Sequence, residues 1–224
     1  NRIGAYRING IDCVSLCGYT GFGQGLYYRC ISIGGFYGMN QNYNDLYGDN
    51  GLINTMNINK GVYSYKKETL NDYGEYFHID NINKYSSKIH SILNEIKNSD
   101  GIIFIYSNWI KSGIVPLVLA LEQNGYTRTD RKEVLKGSKS IEKISYEGKY
   151  KSEYSDSKDF KSANYLVISG SELNSNNLEE ELKRVTSDEN KNGENIKIVI
   201  GSTVASEGLD FKNIRSIHIL EPWH

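Results

Sequence analysis

The sequence predicts an α/β protein built on a doubly wound, mainly parallel sheet. Apolar segments of strand length alternate with segments whose apolar residues recur at helical spacing. This alternation is typical of a parallel sheet that has helices on both faces. Polar and small residues directly follow several strand candidates. Because ligands of such sheets bind beyond the carboxyl ends of the strands, these residues are the candidates for a functional site.

The first helix and strand of this pattern are the clearest. Residues 79–96 place apolar side chains on one helical face, and Asp80 or Asn81 can cap the start of that helix. The segment 102–106 (Ile-Ile-Phe-Ile-Tyr) is apolar throughout and has the length of a strand. Both faces of this strand should therefore be covered, as in a parallel sheet. Ser107 follows at its carboxyl end.

The remaining elements repeat the pattern and bring polar residues to one edge of the sheet. Turn or loop residues follow the later strands, so that Gly170 and Ser202-Thr203 are expected beside Ser107. The predicted elements are a helix through 114–121, a strand at 165–168, a helix at 178–185, a strand at 196–200, a loop with a short helix at 201–211 and a strand at 216–220.

Residues 1–77 are rich in Gly and Tyr and have little periodicity. Within them, the segment 18–25 (Gly-Tyr-Thr-Gly-Phe-Gly-Gln-Gly) has the glycines of a phosphate-binding loop. It lacks the Lys followed by Ser or Thr that such a loop uses to hold phosphate and magnesium. We therefore interpret these glycines as turn residues, and residues 1–77 as an irregular connecting or accessory segment.

Residues 127–162 are polar and charged and are interpreted as a mostly surface insertion. Four basic residues cluster there: Arg128, Arg131, Lys132 and Lys136. Such a cluster can contact nucleic acid, but a solvated loop is the favoured interpretation.

Composition restricts the possible functions. The chain has 26 Lys and Arg against 27 Asp and Glu, a formal net charge of -1. A free-standing nucleic-acid-binding protein usually has a basic excess, so any nucleic-acid contact is expected to be local or shared with a partner.

The sequence contains no apolar segment of about 18–20 residues and no signal-peptide pattern. We expect a cytoplasmic protein that is neither secreted nor in a membrane, with its three cysteines reduced.

Four segments, taken in order, carry a resemblance to a known family. Residues 202–211 (Ser-Thr-Val-Ala-Ser-Glu-Gly-Leu-Asp-Phe) resemble motif V of superfamily-two helicases, which reads Thr-Asp-Val-Ala-Ala-Arg-Gly-Leu-Asp-Ile in the DEAD-box branch. Residues 101–107 resemble motif IV, residues 167–171 resemble the strand and turn that usually end His-Gly-Asp, and residues 217–222 resemble the strand that usually ends Tyr-Asp-Leu-Pro. The resemblance covers about residues 60–224 and is strongest to helicases of nucleocytoplasmic large DNA viruses.

The resemblance implies a fold and a domain organisation. Residues 78–224 would form a RecA-like helicase C-terminal domain of the P-loop NTPase type, truncated before motif VI and carrying the insertion at 127–162. This domain would work with a first RecA-like domain of the same polypeptide. The whole enzyme would couple ATP hydrolysis to movement along an RNA or DNA strand, in the host cytoplasm or in a virion if the protein is viral.

The resemblance also implies roles for individual residues. Ser107 and Ser202 would bind nucleic-acid phosphates, and Thr203 and Gly170 would belong to the same nucleic-acid-binding group. For ATP, the resemblance implies two further residues: Gly208, which would let the loop approach the nucleotide, and Asp210, which would accept hydrogen bonds from the ribose hydroxyls.

Two departures limit what the resemblance implies. Position 203 is Thr where the DEAD-box pattern has Asp, and position 207 is Glu where it has Arg. The sequence contains neither a Walker A lysine nor the Asp-Glu pair that holds magnesium, and the arginines of motif VI are absent. We expect this segment alone not to hydrolyse ATP, with ATP and Mg²⁺ bound mainly by the first RecA-like domain.

Two alternative functions stay open. One is a non-catalytic nucleic-acid-binding or docking module with the same fold. The other is an unrelated nucleotide-sugar enzyme with a similar sheet.

Overall fold

The structure is a computed structural model that describes residues 7–8, 11–12, 48–139, 142–170, 173–174, 177–206 and 211–220. None of the helices in these ranges combines the length and the hydrophobicity that a transmembrane span requires. The strands are β1 (Arg7–Ile8), β2 (Ile11–Asp12), β3 (Met56–Asn59), β4 (Val62–Tyr65), β5 (Ile102–Tyr106), β6 (Thr127–Arg128), β7 (Asn164–Ile168), β8 (Ile198–Gly201) and β9 (Ile214–Ile219). The α-helices are α1 (Gly48–Thr55), α2 (Lys67–Tyr73), α3 (Ile79–Ile82), α4 (Ser87–Asn98), α5 (Val115–Gln123) and α6 (Leu178–Val185).

A five-stranded sheet with the order β6-β7-β8-β5-β9 organises the described part of the chain. All four pairings in this sheet are parallel. The central strands consist largely of Ile and Val, which suit a sheet that is buried on both faces. The predicted fold class, a mainly parallel α/β sheet, is confirmed, and the arrangement is consistent with a RecA-like domain.

Apolar layers cover both faces of the sheet. Ile103 and Ile105 of β5 point into one layer, which also contains the buried faces of α4 and α5. Ile102 and Val199 belong to a second layer with Val185 of α6. Side chains alternate between the two faces along each strand, so the helices must lie on opposite sides to bury both sets. This is the doubly wound arrangement that the sequence predicted.

The prediction of one continuous helix over residues 79–96, capped at Asp80 or Asn81, was wrong. The segment 79–96 contains two helices, the short α3 and the longer α4. The hydroxyl of Ser86 accepts a hydrogen bond from the backbone N–H of Ile89 (3.3 Å), which makes Ser86 the N-cap of α4 in place of Asp80 or Asn81.

Part of the segment interpreted as irregular, residues 56–65, forms the antiparallel hairpin β3–β4. Tyr65 of this hairpin lies in the same buried cluster as α5. Its hydroxyl donates to the side-chain oxygen of Gln123 (3.2 Å) and accepts from the backbone N–H of Phe77 (3.2 Å). The hairpin therefore packs on the sheet domain through long-range contacts, which local periodicity does not reveal.

Part of the predicted insertion at 127–162 also belongs to the core of the fold. Residues 127–128 form the edge strand β6, and Val134, Leu135 and Ile144 are buried. The carboxylate of Glu122 in α5 accepts hydrogen bonds from the backbone N–H groups of Val134 (2.8 Å) and Leu135 (2.6 Å). This half-buried acceptor holds the polar segment against the domain.

Candidate functional site

The structure brings the predicted strand-end residues together at the carboxyl edge of the sheet. The backbone N–H of Ser107, after β5, donates to the carbonyl of Gly201 (3.0 Å). The backbone N–H of Ser202, after β8, donates to the carbonyl of Ile168 at the end of β7 (3.0 Å). Three adjacent strand ends are thus held in register.

The Ser107 hydroxyl builds the turn that follows β5. Ser107 is buried, with 0% of its surface exposed. Its hydroxyl donates to the carbonyl of Trp109 (3.1 Å) and accepts from the backbone N–H of the same residue (3.2 Å). In this conformation the hydroxyl lies beneath the surface and fixes the direction in which the chain leaves the strand.

Ser202 has a similar structural role one strand away. It is buried, and its hydroxyl accepts from the backbone N–H of Val204 (3.4 Å) while its carbonyl accepts from Ala205 (2.8 Å). These contacts begin the 3₁₀ helix Thr203–Ser206. The helix turns outward, so Thr203 is exposed and Val204 has 57% of its surface exposed.

Gly170 completes the surface at this edge. It is exposed and has φ of 63°, a left-handed conformation that glycine adopts without strain. A Cβ atom at position 170 would lie 3.1 Å from a methyl group of Val204. The turn after β7 therefore touches the helix after β8. We call the exposed residues Gly170, Thr203 and Val204 the strand-tip surface; Ser107 and Ser202 lie beneath it.

Two glycines allow this close packing. A Cβ atom at Gly201 would lie 2.7 Å from the Cβ of Ala205 and 2.8 Å from the ring of Phe104. A Cβ atom at Gly113, in the π-helical turn Ile110–Ile114, would overlap the hydroxyl of Ser107. Both positions therefore require glycine for close approach.

Replacing Gly113 by alanine is expected to lower the free energy of unfolding by about 1–3 kcal/mol, because the added methyl group displaces the Ser107 hydroxyl from its turn. The loss should be smaller when Ser107 is itself alanine, since the overlapping oxygen is then gone. Urea unfolding of both single variants and the double variant measures this coupling. Strictly additive losses would contradict the packing described.

The ATP-binding candidates Gly208 and Asp210 lie in the range 207–210, outside the described residues. Their implied roles stay predictions. Among the residues that the structure does describe, no group of three or more His, Cys, Asp or Glu side chains could hold a metal ion.

The structure corrects the interpretation of Arg128 as part of a solvated basic cluster. Arg128 is buried, with 6% of its surface exposed. Its guanidinium donates to the carbonyl groups of Leu173 (2.8 Å) and Asn174 (3.0 Å) and pairs with Asp130 at 3.0 Å. Arg128 therefore connects the edge strand to the turn beyond β7. The sequence contained one indication of this role. Arg128 and Asp130 are two residues apart, a spacing that allows their side chains to form an ion pair.

Comparisons with known proteins identify relatives among helicases, although no family model matches the chain. A provisionally named ATP-dependent RNA helicase of Acanthamoeba polyphaga mimivirus is 30% identical over 66% of this chain and 14% of its own length. A termination factor NPH-I homologue of African swine fever virus is 31% identical over 62% of this chain and 21% of its own length. An uncharacterized killer plasmid helicase of Kluyveromyces lactis is 28% identical over 63% of this chain and 19% of its own length.

The chain thus spans a minor part of each of these longer relatives. The parallel sheet and the order of the four motif segments along the sequence agree with this similarity. The chain is a homologue of a segment of the helicases of large DNA viruses, as its motifs indicated.

Proposed function

We propose that this chain is the C-terminal motor domain of an ATP-dependent helicase or translocase that acts on nucleic acid. The observation that carries the proposal is the convergence of Ser107, Gly170 and Ser202-Thr203 at one carboxyl edge of a parallel sheet. In doubly wound sheets this edge is where ligands bind. The similarity to viral helicases supports the same assignment.

The strand-tip surface would grip the phosphate backbone of a nucleic-acid strand. Thr203 and Gly170 are the exposed residues of this group, so a strand would contact them without a rearrangement of the turns. The Ser107 and Ser202 hydroxyls lie beneath, so they would reach a phosphate only after their turns rearrange. Neutral donors of this kind bind phosphates without distinguishing base sequence, and they require no basic excess in the domain.

The ATP site would be completed by a first RecA-like domain of the same polypeptide. Gly208 and Asp210 would contribute this chain's half, with Asp210 accepting from the ribose hydroxyls. Most contacts to ATP and Mg²⁺ would come from the other domain. Val204, in the helix after β8, and Ile219, at the end of β9, are each 57% exposed, so both side chains are available to contact that domain.

ATP hydrolysis by the full-length protein, measured with no nucleic acid, with RNA and with DNA, tests this function. We expect stimulation by at least one nucleic acid; RNA is the first choice because mimivirus relatives are named as RNA helicases. A docking module predicts strand binding without hydrolysis. An unrelated nucleotide-sugar enzyme predicts an activity that nucleic acid does not change. Either result would contradict the proposal.

A further inference from the structure

A groove of about 960 Å³ lies along the edge strand β6. Thr127, Arg128 and Thr129 line it, together with residues from the segments 131–139 and 160–164. None of the motif residues Ser107, Gly170, Ser202 and Thr203 lines this groove. It is therefore distinct from the strand-tip surface.

The groove has a strongly positive lining. Nine Lys and Arg residues line it against three Glu, a formal charge of +6 in a chain whose net charge is -1. A surface with this much positive charge raises the local concentration of anions. The basic groove is defined by these nine residues: Arg128, Arg131, Lys132, Lys136, Lys139, Lys143, Lys151, Lys161 and Arg184.

Most of these cations face solvent. Eight of the nine are exposed, the exception being Arg128, which pairs with Asp130. Within the described part of the chain, none of the eight lies within ion-pair distance of a carboxylate. One of the three acidic residues, Glu122, already accepts hydrogen bonds from Val134, Leu135 and Tyr165. The exposed charges are therefore available to an anionic ligand.

Neutral and aromatic groups in the groove fit a nucleic-acid backbone. The Thr129 hydroxyl is buried and has no hydrogen-bond partner, so a ligand oxygen or water could satisfy it. The half-buried ring of Phe160 lies 5.9 Å from the ammonium group of Lys151. Rings placed among cations are typical of surfaces on which bases stack while the phosphates pair with Lys and Arg.

We propose that the basic groove binds the phosphodiester backbone of a nucleic-acid strand, as a second contact separate from the strand-tip surface. The exposed cations neutralise phosphates, and Phe160 offers a face to a base. Because the contacts are to the backbone, binding is independent of base sequence and falls steeply as salt concentration rises. This second contact places nucleic acid along the β6 edge as well as across the strand ends.

The test removes three exposed cations of the groove in the full-length protein, with Lys132, Lys136 and Lys143 all changed to Gln. The matched control changes Lys67, Lys158 and Lys191 to Gln, which removes the same charge from exposed positions outside the groove. Fluorescence anisotropy without ATP measures affinity for a labelled single strand at several salt concentrations.

The groove variant is expected to bind the strand about tenfold or more weakly than the control variant. The plot of the logarithm of its association constant against the logarithm of salt concentration should have a slope that is less steep by about 2. Equal affinities for the two variants would overturn the proposal. So would a variant that loses binding to a polyglutamate peptide but keeps binding to the strand, because the groove would then be an acidic-peptide site. Failure of nucleic-acid-stimulated ATP hydrolysis, in contrast, would overturn only the proposed motor function.

Discussion

Replacing Glu122 by alanine is expected to lower the free energy of unfolding by about 2–5 kcal/mol. The Glu122 carboxylate accepts three hydrogen bonds, from the backbone N–H groups of Val134 (2.8 Å) and Leu135 (2.6 Å) and from the hydroxyl of Tyr165 (2.6 Å). Alanine leaves these buried donors without an acceptor, and each such donor costs about 1–3 kcal/mol. Urea denaturation followed by circular dichroism measures the loss. A loss below about 0.5 kcal/mol, typical of an exposed surface substitution, would contradict this role.

Glu122→Gln provides the matched control and a test of pH dependence. Burial raises the pKa of Glu122 above its ordinary value, although hydrogen bonds from Tyr165, Leu135 and Val134 act in the opposite direction. The folded-state pKa is therefore above the unfolded one. The part of the unfolding free energy that depends on this pKa difference is fully present below the unfolded pKa of about 4.3 and is lost as pH rises through the folded pKa. The three hydrogen bonds that Glu122 accepts are a separate contribution.

Wild-type protein should consequently lose unfolding free energy relative to Glu122→Gln as pH rises from about 4 through the raised pKa. Denaturation of both proteins at a series of pH values measures the difference. A difference that is constant with pH, or that grows in favour of the wild type, would contradict the pKa direction. Glu122→Ala, which removes the acceptor altogether, should also loosen the segment that carries Lys132 and Lys136 in the basic groove.

Asp210→Ala in the full-length protein is expected to reduce kcat/KM for ATP by about 10- to 100-fold. In its proposed role, the Asp210 carboxylate accepts charge-assisted hydrogen bonds from the ribose, and such bonds contribute about 1.5–3 kcal/mol. Nucleic-acid-stimulated ATPase kinetics measure this effect. Asp188→Ala, at an exposed position in the 3₁₀ helix Asp188–Asn190, is the control for loss of an acidic side chain.

A folding defect must be separated from a loss of ATP contact. Asp210→Ala should keep the thermal unfolding midpoint of the wild-type protein measured without nucleotide. An unchanged kcat/KM for ATP would contradict the ribose role. An equal fall in the Asp188→Ala variant would show that the effect does not depend on position 210.

The sequence predicted the sheet because its strands satisfy a local rule. The segments around 102–106, 165–168 and 198–200 are continuous apolar runs, and such runs are typical of strands buried on both faces. Parallel pairing then places the carboxyl ends of neighbouring strands at one edge. The proximity of Ser107 and Ser202 follows from this rule without knowledge of any long-range contact.

Features that depend on long-range contacts were not predictable in this way. The hairpin 56–65 is Tyr- and Asn-rich, and its place in the core depends on Gln123 and Phe77, which are distant in sequence. Arg128 sits in a polar segment, and its burial depends on carbonyl groups 45 and 46 residues away. The basic groove likewise draws its cations from segments as far apart as 128 and 184. Periodicity carries no information about such pairs.

The sequence also did not predict that the hydroxyls of Ser107 and Ser202 are buried. A motif fixes which residue type follows a strand, whereas the turn geometry decides whether its hydroxyl faces solvent or backbone. At Ser107 the hydroxyl bonds to Trp109, and at Ser202 it bonds to Val204. Thr203 and Gly170 are therefore the exposed candidates for direct strand contact.

Photo-crosslinking from position 203 tests most directly whether the strand-tip surface contacts nucleic acid. A photoreactive amino acid would replace Thr203 in the full-length protein, and a control would carry it at Lys212, an exposed residue before the amino end of β9. With a radiolabelled single strand bound, position 203 should form a crosslink and position 212 should not. A bound strand that crosslinks to neither position, or to position 212 alone, would contradict the account.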